Sequence, residues 1–207
     1  MIEGMLGKKL GMSRIFDPDG NAVAVTLIEC GPCYVSAVSE TGGVQLGFEE
    51  VKEKSLSKAE AGHLKKSKLP LLRNLKEVKW QGSDADAPSV GDVFKADSFN
   101  EGEHVDIQGV TKGKGFSGVM KRWGFGGGRK THGGTTPRGP GSIGAGSDPS
   151  RVWPGMKMAG RYGGANITAF NLEVVKIDPA ENTIAVKGSV PGPAKSILFI
   201  RRSLKVK

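Results

Sequence analysis

From Ala22 to Glu29 apolar residues occupy both alternating positions, the pattern of a strand buried on two faces. Just upstream, Asp17-Pro18-Asp19-Gly20-Asn21 is dense turn chemistry and folds that strand back on Ser13–Phe16 as a hairpin. Tyr34–Val38 and Val44–Phe48 repeat the short β pattern, split by Thr41-Gly42-Gly43. A single helix is predicted over Ser57–Lys66, where Ser57 is the N-cap and Glu60, three residues on, completes a capping box. His104–Val110 reads as another strand. Ile167–Ile177, Thr183–Ser189 and Ile197–Arg201 are again apolar and β-branched, the first two joined by Asp178-Pro179-Ala180-Glu181-Asn182. Many short strands between turn signals predict a mainly β chain, its two flanks closing into one small barrel rather than βαβ units.

Between the flanks the pattern stops. Residues 112–164 hold 17 of the 32 glycines, together with Pro137, Pro140, Pro149 and Pro154. At ~0.8–1.0 kcal/mol per glycine, a helix there would be penalised by roughly 15 kcal/mol, and glycine and proline weaken strands as well. The expected organisation is a β-barrel body from 1–111 and 165–207, with an irregular glycine-rich arm, 112–164, inserted between strands. Irregular stretches of that length are usually functional or disordered. A solvated linker is the plain alternative. Against it, Phe116, Met120, Trp123, Phe125, Trp153, Met156, Met158 and Tyr162 recur through the segment, and a flexible linker has no use for two of the chain's three tryptophans.

Charge decides what the arm is for. The chain carries 30 Lys and Arg against 21 Asp and Glu, a net +9. Ten of the cations lie in the arm, opposed there only by Asp148, so the arm accounts for the whole +9 and the remainder is neutral. A concentrated basic excess calls for an anionic partner. Cations meet phosphates and aromatics stack on unpaired bases, so the candidate RNA contacts are Lys112, Lys114, Lys121, Arg122, Trp123, Arg129, Lys130, His132, Arg138, Arg151, Trp153, Lys157 and Arg161.

Other chemistry finds little support. Cys30-Gly31-Pro32-Cys33 has the spacing of a redox dithiol, but it ends one β pattern and begins another instead of opening a helix. It reads as a Gly-Pro turn between two small, semi-buried residues. With no second pair it makes no zinc site. Gly113-Lys114-Gly115-Phe116-Ser117-Gly118 fits GxGxxG, yet a dinucleotide site needs a long helix after it and Gly124 intervenes. A backbone nest for an RNA phosphate is compatible with the same residues. His63, His104 and His132 are far apart, without metal-ligand spacing. No catalytic constellation, cofactor, metal or small-molecule substrate is expected, and an enzyme built on the cysteines or the GxGxxG is the weaker reading. A DNA-compacting protein is weaker too, for want of dimer signals. With no apolar run of transmembrane length and no signal or import leader, a soluble cytoplasmic protein without membrane contact is expected.

Within the arm, Lys112-Gly113-Lys114-Gly115-Phe116-Ser117-Gly118-Val119-Met120-Lys121-Arg122-Trp123 resembles the signature of the large-subunit ribosomal protein L3 family in its bacterial form. Thr131-His132-Gly133, Pro140-Gly141-Ser142-Ile143-Gly144 and Gly155-Met156-Lys157-Met158-Ala159-Gly160 continue the likeness. Outside the arm it is carried by Gly7–Ser13, Ala61–Leu64, Asn171–Val175 and Val186–Gly192, so it runs the length of the chain in order. The resemblance implies a translation-protein-like barrel, large-subunit ribosomal RNA and neighbouring ribosomal proteins as partners, and an early role in assembly. It also implies an extension reaching toward the peptidyl-transferase centre. Some bacterial members carry a methylated glutamine near the tip of that extension. Here the stretch is Ser142–Ser150 and the last glutamine of the chain is Gln108, so that modification should be missing.

Overall fold

A computed structural model describes residues 2–39, 42–80 and 88–204. The chain divides into two compact units: Met1–Val110 with Asn166–Lys207, and the inserted Thr111–Ala165.

In the first unit, β1 (Gly4–Phe16), β2 (Ala22–Cys30), β7 (His104–Val110), β10 (Asn166–Asp178), β11 (Thr183–Lys187) and β12 (Ile197–Arg202) close into a barrel in the order β1-β12-β7-β10-β11-β2. Every neighbouring pair is antiparallel. The barrel is therefore sewn from both flanks, as the apolar runs predict, and the chain is mainly β. The single-barrel expectation needs one correction. β3 (Cys33–Val38), β4 (Gly43–Glu50), β5 (Leu72–Lys79) and β6 (Val93–Phe94) form a separate four-stranded sheet in the order β5-β4-β3-β6. One apolar cluster serves both sheets: Met5, Ile28, Val105, Ile107, Ile184, Leu198 and Ile200 from the barrel meet Val35, Val44, Leu46 and Phe48 from the second sheet.

The local signals in the sequence produce the elements they specify. Asp17 accepts from the Gly20 N–H at 2.8 Å and donates its own N–H to Asn21 O at 3.0 Å, closing the β1–β2 hairpin. α1 (Lys58–Lys66) begins at Ser57 with both halves of the capping box made. In the β3–β4 turn, Ser39 N–H donates to Gly43 O at 2.7 Å; Thr41 lies outside the described residues.

Strand β1 starts well before the predicted Ser13. Its first half is glycine-rich because the barrel is tight there: a Cβ on Gly7 would stand 2.8 Å from Glu29 O. Among the described residues two charged groups are buried, both on barrel strands. The Lys9 amine donates to Val190 O (2.7 Å) and Gly192 O (3.1 Å), fastening the loop before β12. Asp106, 2 % exposed, accepts from the Asn171 N–H (3.0 Å) and from Arg201 Nη2 (3.3 Å). No helix among the described residues is long and apolar enough to cross a membrane.

The insert leaves β7 after Val110 and re-enters β10 at Asn166, residues that are Cα partners across that ladder. Its two ends thus start side by side from the last pair of one ladder.

Candidate nucleic-acid interface

The second unit is not wholly irregular. Its base is a backbone ladder: Thr111 N–H donates to Ala165 O (2.9 Å), Lys114 N–H to Tyr162 O (2.8 Å), and Tyr162 N–H to Gly115 O (2.9 Å). The ladder continues as β8 (Phe116–Ser117) paired with β9 (Gly160–Arg161). Next comes a short helix, α2 (Val119–Trp123), which closes on Gly124 in the left-handed conformation with its N–H on Met120 O at 2.9 Å. These elements correct the fully irregular arm expected from composition. Glycine penalises regular structure per residue, but residues 116–123 hold only one glycine, Gly118, and Val119 and Ser117 are buried there. Further out, Gly128 N–H reaches Pro137 O at 3.2 Å, folding the glycine-rich 124–140 stretch back on itself.

On this scaffold the predicted residues fall into groups. Lys112, Lys114 and Arg161 belong to the ladder. Lys121, Arg122 and Trp123 lie on α2. Arg129, Lys130, His132 and Arg138 are exposed within or beside the folded-back stretch, with His132 at φ 60°. Arg151, Trp153 and Lys157 lie on the return path. Nine of the ten cations are exposed and Arg122 is half-buried. Among the described residues no ion pair involves any of the ten, whereas the first unit pairs Lys8 with Glu49, Lys187 with Glu173, and Arg202 with Glu103. The insert thus holds its charge uncompensated.

Cations and rings are interleaved, as the sequence suggests, and several are in contact. Lys114 Nζ lies 4.5 Å from the centre of the Tyr162 ring, Arg151 Cζ lies 5.0 Å from that of Trp153, and Arg122 Cζ lies 5.0 Å from that of Trp123. Lys157 Nζ stands 5.7 Å from the Trp123 ring, joining α2 to the return path. Trp123 and Trp153 remain 42 % and 54 % exposed. Sequence reasoning left out Phe116, the most open aromatic of the insert at 82 %. Its position in a basic, aromatic-bearing segment was the available signal.

The tempting motifs take structural positions. Cys30 ends β2 and Cys33 begins β3, and both are fully buried rather than semi-buried, because the turn between them carries the chain from the barrel to the second sheet through the shared core. Burial pushes the Cys33 thiol up to about 12 and the Cys30 thiol well above its ordinary value. Gly113–Gly118 leads into α2, five residues long, which is too short to present the helix a dinucleotide site requires. Among the described residues no group of three or more His, Cys, Asp or Glu could hold a metal.

A model of the family described as Ribosomal protein L3 matches residues 76–184. Among curated relatives, a Large ribosomal subunit protein uL3 from Synechococcus sp. (strain RCC307) is 47% identical, with 100% of this chain and 97% of the relative covered. Another of that name, from Prochlorococcus marinus (strain MIT 9515), is 50% identical over 97% of this chain and 94% of the relative.

Proposed function

Because the chain belongs to the ribosomal protein L3 family, and is thus a structural protein of the large ribosomal subunit rather than an enzyme, we propose that its insert binds large-subunit ribosomal RNA. One observation carries this reading: ten cations that form no ion pair among the described residues, interleaved with exposed rings, sit on a single inserted unit. Holding nine exposed like charges together opposes folding unless an anionic partner neutralises them. Folded RNA, where phosphates crowd, supplies that neutralisation and gains compaction in return. Trp153, Phe116 and Trp123 add stacking surfaces for unpaired bases, so recognition follows tertiary shape more than base sequence.

On this reading the protein joins the subunit early in assembly, in the cytoplasm, beside neighbouring ribosomal proteins, and the insert points toward the peptidyl-transferase centre. Binding of the full chain to large-subunit RNA should weaken roughly 10³–10⁵-fold between 50 and 200 mM salt if six to ten cations engage phosphates. Co-sedimentation with large subunits through a salt wash tests the association, and release at low salt refutes it. An iron chelate tethered at Ser142→Cys tests the placement: cleavage should cluster in the peptidyl-transferase RNA, and cleavage confined to distant helices refutes it.

A further inference from the structure

Arg122 differs from the other nine cations of the insert. It alone is half-buried, and its Nη1 donates to the Met158 carbonyl at 3.0 Å. The Trp123 indole N–H donates to that same carbonyl at 2.9 Å. The guanidinium also lies 5.0 Å from the centre of the indole ring. One backbone oxygen on the return path therefore anchors two adjacent side chains of α2, and the planar Arg122 fork braces the ring beside it.

The backbone opposite is shaped to admit that fork. A Cβ on Gly160 would collide with Arg122 Nη1 and stand 3.3 Å from Cζ. Gly160 has no positive φ, so conformation does not demand glycine there. What the missing side chain provides is room for the guanidinium. Since the colliding atoms are the end of a flexible side chain, a methyl at position 160 would expel Arg122 and leave the β8–β9 ladder in place.

We propose that Arg122 is a positioning residue that holds Trp123 in a fixed orientation to receive one unpaired base of the RNA, and that it is not a phosphate ligand. This rests on the reading of the insert as RNA-binding. It divides the basic residues by role: exposed cations neutralise phosphate, while Arg122 spends its Nη1 donor on a backbone carbonyl inside the protein. A lysine cannot replace it, because a single ammonium cannot both donate to Met158 O and keep a planar group against the indole.

The test measures binding of the full chain to large-subunit RNA as a function of salt. Each phosphate ligand lost lowers the slope of log K against log salt by about 0.7–0.9. Arg122→Ala, Arg122→Lys and Gly160→Ala should all weaken binding alike, by roughly 5- to 150-fold, the range of one stacked base, with the slope unchanged. None should weaken a Trp123→Ala protein further, since all act through that ring. Gly160→Ala is decisive because it removes no charge. General collapse of the insert would lower the slope by several units and would overturn the assignment. So would an Arg122→Ala slope lower by about 0.7–0.9 with Gly160→Ala at wild-type affinity. Separately, replacing Lys112, Lys114, Lys121 and Arg161 together with alanine must lower the slope by about 3. An unchanged slope there sinks the RNA-binding reading itself, whatever Arg122 does.

Discussion

Raising the pH probes the Cys30–Cys33 turn more directly than removing it. Both thiols are fully buried in the core shared by the two sheets. Burial raises the Cys33 thiol from 9.0 to about 12, and raises Cys30 in the same direction, with the nearby Cys33 adding to it. In the unfolded chain both ionise near 9. Below that pH folded and unfolded states hold the same protons, and the contribution of the buried thiols is fully present. Between pH 9 and 12 the unfolded chain releases the Cys33 proton that the folded chain keeps, so stability falls by ~1.4 kcal/mol per pH unit for that thiol, and Cys30 acts in the same direction. For Cys33 alone the loss over that window is ~4 kcal/mol, a large share of the ~5–15 kcal/mol that holds a domain together. Cys33→Ala forfeits the Sγ contact with Leu6 O, 3.3 Å long, and leaves a small void, a cost of ~1–2 kcal/mol at pH 7. It also sheds one ionisable group. Urea unfolding at intervals from pH 7 to 11.5 should show wild type ahead at neutrality and the two stabilities crossing about one pH unit above 9. Parallel curves would refute the reasoning, since they require a thiol that ionises equally in both states. A catalytic dithiol would bend them the other way, because its thiolate is the form stabilised on folding.

Two further outcomes follow from the geometry. Replacing residues 111–165 with Asn-Gly should leave a cooperatively unfolding first unit, because Val110 and Asn166 are already paired across the β7–β10 ladder and a two-residue hairpin joins such partners; loss of the β circular-dichroism signal would refute the division, and the shortened protein should not enter large subunits. Asp106→Ala should cost about 1–3 kcal/mol in urea unfolding, since it strands the Asn171 N–H and takes from the half-buried Arg201 guanidinium the nearer of its two carboxylates, leaving it Glu3 at 3.8 Å. A loss below about 0.5 kcal/mol would show that water already satisfies those donors.

Much of the candidate site was legible from residue types alone. The +9 of the chain lies in one segment, and that segment forms a compact unit of its own carrying every predicted contact. Roles within it were not legible. Arg122 reads in sequence like Lys121 beside it, yet one is anchored to Met158 and the other faces solvent. The partner lies 36 residues away, and its backbone carbonyl leaves no trace in the sequence. The pattern at Cys30 and Cys33 suggested small turn residues, but only the join of two sheets shows why both are fully enclosed.

By itself the sequence determined the features whose causes are local. The turn before β2, the capping box on α1 and the apolar strands of both flanks each depend on residues within a few positions of one another, and the clustering of charge is a property of order along the chain. Tertiary structure decided what depends on remote partners. The glycine-rich start of β1 looks like a poor strand until Glu29 is seen crowding Gly7. Strand β5, with Lys and Glu along an edge of the second sheet, has too little alternation to be read without its seven-residue pairing with β4. Whether a cation on the insert faces solvent or braces its neighbour depends on which backbone oxygen the fold carries to it.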